Sequence, residues 1–174
     1  IPYWTEMAAF ARDHGVTRIA FEMHPGFCVY NPETLLNLRA AVGPEIGANF
    51  DPSHLVWQGI EPAQAIKTLK DCMWHFHAKD TRIDKANTAV NGVLDYKHYS
   101  DVMNRSWVFR TIGYGSGEDA WREIVSALRT IDYDYVMSIE HEDSLMSQRE
   151  GLEKAVKTLK EVMTFSGKGV MTWA

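Results

Sequence analysis

Segments with helical periodicity alternate along this chain with short apolar runs that have the length and composition of β-strands. Four of these runs end at Glu22, Asp51, His77 and Glu140. Such alternation is typical of a parallel α/β architecture, in which every strand delivers its carboxyl end to the same face of the sheet. We therefore expect these four side chains to converge, although they are far apart in the sequence.

The four strand-end residues form a mixed set of oxygen and nitrogen donors. Such a set suits Mn²⁺, Mg²⁺, Co²⁺ or Zn²⁺. Each residue alone could be an ordinary polar strand terminus. Three carboxylates brought together without a cation would cost several kcal/mol in repulsion and desolvation. Their convergence therefore predicts one bound divalent metal ion.

The organisation of the chain predicts a single domain over residues 1–174. Residues 81–116 interrupt the alternation with a long polar stretch, which we expect to be a lid-like loop insertion. The glycine-rich run Gly113–Gly117 precedes a helix and could cradle a phosphate, because backbone N–H groups at a helix start attract anions. It follows no strand directly, so a dinucleotide-binding interpretation is weak.

The size of the chain limits the architecture it can complete. A closed (β/α)8 barrel takes about 250 residues, whereas this chain has 174 residues and four βα units. An open parallel sheet would expose two unpaired edges. The chain starts with Ile1 rather than Met. We therefore expect that an N-terminal half is missing or that a second copy, in a homo-oligomer, closes the barrel.

Charge, cysteine content and hydrophobicity limit the kinds of molecule that the protein is expected to bind. The formal net charge is −5 and the basic residues are scattered, which disfavours a nucleic-acid surface and favours a small polar metabolite. The two cysteines show no Cys-x-x-Cys spacing, which favours a reducing cytoplasm. No apolar run approaches the roughly 20 residues that span a bilayer, so no membrane association is expected.

Four other residues are candidates for the pocket, each with an ordinary alternative. Lys79 could bind a substrate hydroxyl or pair with Asp80 or Glu142. Arg110 could meet an anionic substrate group or lie on the surface, and Trp57 could form an apolar wall or pack in the core. His75 lies two residues before His77, on the same side of the strand, where it could support the ligand by hydrogen bonding or pack inside the barrel.

Four motifs carry a family resemblance. They are Phe21-Glu22-Met23-His24-Pro25, Asn49-Phe50-Asp51-Pro52-Ser53-His54, His75-Phe76-His77-Ala78-Lys79-Asp80 and Ser138-Ile139-Glu140-His141-Glu142. Together they resemble the second half of the sugar phosphate isomerase/epimerase family, the xylose isomerase-like TIM barrels. The resemblance covers nearly the whole chain and implies an α/β fold in which this chain supplies strands 5–8 of a (β/α)8 barrel.

The resemblance also assigns roles to residues. It implies that Glu22, Asp51, His77 and Glu140 bind one divalent metal and that His54 contacts the substrate. In ketose 3-epimerases of the family an arginine lies beyond the metal histidine. This sequence has Ile83 at the matching position and Arg82 beside it. The resemblance therefore implies a substrate-binding role for Arg82.

The function expected from the residues and the resemblance is a metal-dependent sugar isomerase or epimerase, acting on a carbohydrate, a sugar phosphate or an inositol derivative. Glu22 and Glu140 would exchange a proton next to a carbonyl group, while the metal stabilises an enediolate-like charge. Two alternatives stay open. One is a phosphodiesterase similar to endonuclease IV, and the other is a sugar-binding half-barrel without turnover.

Overall fold

The computed structural model describes residues 1–173. Seven α-helices and six β-strands alternate along this part of the chain. The helices are α1 (Pro2–Asp13), α2 (Pro32–Val42), α3 (Pro52–Val56), α4 (Pro62–Thr68), α5 (Lys85–Asn91), α6 (Glu118–Thr130) and α7 (Gln148–Val162). The strands are β1 (Ile19–Glu22), β2 (Ile46–Phe50), β3 (Met73–Ala78), β4 (Asp80–Ile83), β5 (Trp107–Arg110) and β6 (Met137–Ile139).

Four strands form a parallel sheet in the order β1-β2-β3-β6. All four therefore point their carboxyl ends to one edge, as the α/β alternation predicts. Strands β1 and β6 are the outer strands of this sheet, so the described residues form an open half-barrel rather than a closed one. The expected fold, half of an α/β barrel, is confirmed.

Local sequence signals fix the ends of the helices. Asn31 precedes α2, and its side-chain oxygen accepts a 2.9 Å hydrogen bond from the backbone N–H of Thr34. Pro32 occupies the first position of the helix, where no intrahelical N–H is needed. Ser147 caps α7 in the same way by accepting from the N–H of Glu150. These caps set where each crossover helix begins.

The core lies between the sheet and the helices that cover it. Phe50 and Phe76, on adjacent strands, stack with ring centroids 5.6 Å apart, and Trp121 of α6 packs edge-on against Phe76. Gly47 lies where Trp74 crosses β2, and a Cβ at Gly47 would come within 2.5 Å of the Cys72 carbonyl oxygen. Burial of these aromatic rings holds the carboxyl ends of β2 and β3 in place.

The segment predicted to be a lid contains regular structure. Strand β4 pairs antiparallel with β5, and helix α5 lies between them in the sequence. Trp107 of β5 stacks on Trp57 with centroids 4.5 Å apart and planes 7° from parallel. This second, smaller core attaches the hairpin to α3. No helix among residues 1–173 is long and apolar enough to cross a bilayer.

Candidate metal centre and active site

Three of the four predicted metal ligands meet at the carboxyl edge of the sheet. Nδ1 of His77 lies 3.4 Å from Oε2 of Glu22 and 3.1 Å from Oε1 of Glu140. One ligand atom from each of the three residues lies within 4.8 Å of the other two. The backbone N–H of Glu140 donates to Ala78 O at 3.1 Å, which extends the pairing of β3 and β6 by one residue and brings Glu140 beside His77.

A second triplet shares Glu22. It consists of Glu22, Asp51 and His54, whose Nε2 lies 2.9 Å from Glu22 Oε1 and 3.4 Å from Asp51 Oδ2. Asp51 caps α3 by accepting from the N–H of Ser53 at 2.8 Å, and this short helix carries His54 back over the sheet. The hydrogen bond from His54 lowers the pKa of Glu22 despite partial burial, so Glu22 is an ionised carboxylate.

Asp51 is grouped with His54 rather than with His77, and the ammonium of Lys79 lies next to it. Lys79 Nζ is 3.1 Å from Asp51 Oδ2 and 2.8 Å from Glu140 Oε2. A third carboxylate, that of Glu142, lies 3.3 Å away. Burial would lower the pKa of Lys79, but the three carboxylates together raise it above its usual value. Lys79 is therefore a buried cation at the centre of the site.

The polar atoms left without partners fit a divalent cation. His77 Nδ1 and Asp51 Oδ2 are buried, and neither makes an aligned hydrogen bond, although charged groups lie within 3.5 Å of each. Four carboxylates face a single ammonium group in this cluster, so a further positive charge would be stabilised there. The donors are carboxylate oxygen and imidazole nitrogen, which suit Mn²⁺, Mg²⁺, Co²⁺ or Zn²⁺.

A cavity of about 490 Å³ opens above this cluster, large enough for a monosaccharide-sized molecule. Ten residues line it: Glu22, His24, His54, Lys79, Tyr99, Val108, Phe109, Glu140, Glu142 and Ser144. Its aromatic wall is Tyr99 stacked on Phe109, with centroids 5.7 Å apart. Trp57, which the sequence suggested for this wall, is instead buried against Trp107 and does not line the cavity.

The family model described as xylose isomerase-like TIM barrel matches residues 1–162. The chain belongs to this family. Among its relatives, an uncharacterized protein named YfiH from Bacillus subtilis (strain 168) is 41% identical over 164 residues, covering 94% of this chain and 52% of the relative. Inosose dehydratase 1 from Bacillus cereus (strain ZK / E33L) is 25% identical over 158 residues, covering 89% of this chain and 51% of that enzyme.

Solved structures agree on the fold. A crystal structure of the IolI protein with a bound zinc atom superposes with a TM-score of 0.62 at 23% identity, covering 91% of this chain and 52% of that one. The chain therefore spans about half the length of the relatives that it matches. This agrees with the four-stranded half of a xylose isomerase-like barrel seen in the sheet.

Three further residues named from the sequence lie outside the cavity. Arg82 is exposed on β4, and Arg110 donates from Nε to Asp143 at 3.0 Å; both line a separate small cavity beside the β4–β5 hairpin. His75 forms a 2.8 Å hydrogen bond with Ser138 Oγ rather than with His77, and burial lowers its pKa. In the described structure, then, neither arginine is directed at the Glu22 cluster.

The glycine-rich segment does not form an open phosphate cradle. The carboxylate of Asp80 accepts hydrogen bonds from the N–H groups of Gly113 (2.9 Å), Gly115 (3.1 Å) and Ser116 (2.9 Å), and also from Trp121 Nε1 (3.0 Å). The N–H groups that would attract a phosphate are thus already bound to a buried anion of the protein itself. Asp80 instead anchors the segment that leads into α6.

Sequence reasoning missed several residues of the site, among them Asn49 and the aromatic pair Tyr99 and Phe109. Asn49 lies two residues before Asp51, and its Nδ2 is 3.1 Å from Nε2 of His77. The sequence did contain a signal for Asn49. It is a polar residue within an otherwise apolar strand, and its side chain lies on the same side of the sheet as the site residues of the neighbouring strands. Tyr99 and Phe109 had no comparable signal, because their approach to the cavity depends on how the segment between β4 and β5 folds.

Proposed function

We propose that the protein containing this chain is a divalent-metal-dependent isomerase or epimerase of a sugar, sugar phosphate or inositol derivative. It would transfer a proton at the carbon next to a carbonyl group. The observation that carries the proposal is that Glu22 and Glu140 approach the same atom, His77 Nδ1, from the two outer strands of the sheet. Two carboxylates placed in this way can remove a proton from one face of a substrate and return it to the other.

Glu22 is suited to the role of base. The hydrogen bond from His54 lowers its pKa and so keeps the carboxylate deprotonated and able to accept a proton. Its side chain is 30% exposed, so a substrate in the cavity can reach it. His54 also lines the cavity, where its ring can contact a substrate hydroxyl while holding Glu22 in place. These contacts support the roles of base for Glu22 and substrate orientation for His54.

Glu140 and Lys79 occupy the opposite side of the cluster. Lys79 donates to Glu140 at 2.8 Å, and both line the cavity. An ammonium group at this position can bind a substrate oxygen and stabilise negative charge that develops on it. Glu140, 34% exposed, can return the proton. We propose that Glu140 and Lys79 act together on the face of the substrate opposite Glu22.

The proposed metal ligands are Glu22, His77 and Glu140, with Asp51 as the fourth. A divalent cation held there would act as a Lewis acid toward the carbonyl and neighbouring hydroxyl oxygens of the substrate. The crystal structure of the structurally similar IolI protein contains a bound zinc atom, which supports a divalent metal in this chain as well. Mn²⁺, Mg²⁺, Co²⁺ and Zn²⁺ all suit the donors.

A dehydratase is the second candidate, favoured by the similarity to inosose dehydratase 1. Removal of water from a hydroxyketone also begins with loss of the proton next to the carbonyl group. The bond that then breaks joins carbon to a hydroxyl group, which leaves as water after accepting a proton. The same glutamates could serve both reactions, so the two candidates differ in their products and not in the first proton transfer.

The decisive experiment follows that proton. The full-length protein, loaded with Mn²⁺, is incubated in D₂O with a panel of ketoses and inososes, and NMR detects deuterium at the carbon next to the carbonyl group. We expect Glu22→Gln and Glu140→Gln to abolish incorporation, whereas Glu123→Gln, an exposed change on α6, leaves it unchanged. Full metal-dependent turnover by Glu140→Gln would refute the proposal. Epimerised product indicates an epimerase, and an enone or diketone indicates a dehydratase.

The half-barrel needs further strands to close it. The exposed edges of β1 and β6 need partners, which we propose are strands of an N-terminal half or of a second copy.

The cellular location and the non-catalytic alternative can also be addressed. Both cysteines are free thiols, which supports a reducing compartment such as the cytoplasm. Metal analysis tests the non-catalytic alternative, because a sugar-binding half-barrel would carry no stoichiometric divalent ion.

A further inference from the structure

Asn49 contacts the metal-ligand candidate His77 on the side away from the carboxylates. It is the fourth residue of β2, and in the parallel register it pairs with Glu22 of β1 and His75 of β3. Its Nδ2 lies 3.1 Å from His77 Nε2, while its Oδ1 is buried without a hydrogen-bond partner. The amide nitrogen of Asn49 therefore contacts the imidazole, while its amide oxygen makes no hydrogen bond.

The two ring nitrogens of His77 therefore have different neighbours. Nε2 faces Asn49, whereas Nδ1 faces Glu22 and Glu140. A neutral imidazole carries one proton, so one nitrogen is a donor and the other an acceptor. In the arrangement seen here, Asn49 Nδ2 donates to Nε2, which places the ring proton on Nδ1, next to the two carboxylates.

Binding of a cation through Nδ1 requires the opposite arrangement. Nδ1 must then offer its lone pair, and the proton moves to Nε2, where it needs an acceptor. Turning the carboxamide of Asn49 by about 180° brings Oδ1 to the position of Nδ2 with almost no change in shape. The unpartnered Oδ1 would then accept from Nε2–H. A carboxamide can serve both forms of the ring, because it carries a donor and an acceptor at nearly the same distance, whereas a carboxylate can only accept.

We infer that Asn49 is a positioning residue that selects the tautomer of His77 and thereby sets how tightly the site binds a divalent cation. This inference rests on the proposed metal site. Asn49 donates through Nδ2 to the metal-free imidazole and accepts at Oδ1 from the imidazole that binds the cation. An aspartate at position 49 could only accept and would hold the proton on Nε2 in both states. A leucine could do neither.

Metal affinity provides the first test. Zn²⁺ is titrated calorimetrically, against a competing chelator, into the metal-free full-length protein and its Asn49→Leu and Asn49→Asp variants. We expect Asn49→Leu to bind Zn²⁺ about 10- to 100-fold more weakly, the usual cost of losing a hydrogen bond behind a ligating histidine. Asn49→Asp should bind at least as tightly as the wild-type protein. Asn37→Leu, an exposed change on α2, is the matched control and should have no effect.

The position of the ring proton provides the second test, which a general loss of packing would not imitate. NMR of ¹⁵N-labelled histidine assigns the His77 tautomer in each protein. We expect Nδ1–H in the metal-free wild-type protein, Nε2–H after Zn²⁺ is added, and Nε2–H in Asn49→Asp even without metal. This measurement uses a conservative variant of nearly the same shape, so it remains informative if Asn49→Leu does not fold.

The possible failures are distinguishable. Wild-type affinity in Asn49→Leu, or an Nδ1–H tautomer in metal-free Asn49→Asp, would overturn the role of Asn49 and leave the metal site standing. A wild-type protein that binds no stoichiometric Zn²⁺, Mn²⁺, Mg²⁺ or Co²⁺ would overturn both the metal site and this inference.

Discussion

Nζ of Lys79 lies 2.8 Å from Oε2 of Glu140 and so holds a positive charge beside a proposed metal ligand. The same ammonium is 3.1 Å from Asp51, whose side chain is fully buried. Burial raises the pKa of Asp51, while the charges of His54 and Lys79 oppose that effect. Lys79 therefore stabilises the metal-free cluster and competes with a cation for the same carboxylates.

The first prediction is that Lys79→Met destabilises the metal-free protein and strengthens metal binding. Loss of the ammonium leaves the buried Asp51 without its nearest cation, and breaking such a pair costs about 3 kcal/mol. Urea unfolding in the presence of a chelator should show this loss, and Mn²⁺ should restore more stability to the variant than to the wild-type protein. Lys157→Met removes only an exposed 3.9 Å contact with Glu161 and serves as the control. Equal unfolding midpoints for Lys79→Met and the control would contradict the prediction.

The second prediction concerns the aromatic wall. Tyr99 is half-exposed over the cavity and stacks on Phe109, so its ring offers a flat apolar surface to a bound sugar. Because this contact lies away from the reacting carbon, Tyr99→Ala should raise KM about fivefold, equivalent to about 1 kcal/mol of aromatic contact, with kcat nearly unchanged. Steady-state kinetics on the substrate found by deuterium exchange tests this.

Tyr96→Ala is the control for the Tyr99 experiment. Tyr96 belongs to the same segment and is 97% exposed, but it does not line the cavity. A fall in kcat with unchanged KM in Tyr99→Ala would show that the ring acts on the chemical step rather than on binding.

The sequence was sufficient to predict the parallel sheet and the convergence of three side chains, because both depend on short-range patterns. Apolar runs with polar ends specify where strands stop. Parallel pairing then brings Glu22, His77 and Glu140 together, and this does not depend on the segments that connect the strands. The position of Asp51 was harder to predict. Lys79 reaches into the site and pairs with it, and side-chain direction inside a crowded pocket is not encoded by strand periodicity.

Most of the remaining differences between the sequence predictions and the structure arise in the segment between β3 and α6. Trp57 stacks on Trp107, whereas Tyr99 meets Trp107 edge-on with centroids 6.0 Å apart and also lines the cavity. The antiparallel pairing of β4 with β5, which joins residues far apart in the sequence, sets these positions. In the same way, Asp80 binds the glycine-rich segment across a sequence separation of more than 30 residues. Local motifs could not reveal that those N–H groups already have a protein partner.

The third prediction is that Asp80→Ala is strongly destabilising. Its carboxylate satisfies the N–H groups of Gly113, Gly115 and Ser116 and the indole of Trp121, and the variant would leave these donors without their charged acceptor. We expect a loss of about 4 kcal/mol, since hydrogen bonds to a buried charge are stronger than average. Urea unfolding followed by tryptophan fluorescence measures it. Asp119→Ala, which removes an exposed ion pair with Arg122, should cost far less, and similar losses in both variants would count against an anchoring role.

The fourth prediction is an acid-induced loss of stability caused by Asp95. Burial would raise the pKa of this carboxyl, but hydrogen bonds from Lys97 and from the N–H of Ser106 outweigh it and hold the pKa at about 2, below its ordinary value of 3.8. A lowered pKa in the folded state means that the stabilisation is complete above pH 3.8 and disappears as the pH falls toward 2. The loss over this range should be about 2 kcal/mol.

Asp95→Asn isolates this contribution from those of the other carboxyl groups that titrate in the same range. Free energies of unfolding are measured by urea denaturation at a series of pH values from neutral down to about 2. The difference between wild-type and Asp95→Asn should shrink as the pH falls, because protonated aspartic acid and asparagine are both uncharged. Asp134→Asn, an exposed change in the segment before β6, should show a small and constant difference. A constant gap for Asp95→Asn would mean that the ionised carboxylate is not what ties residues 95–106 together, and that the neutral hydrogen bonds suffice.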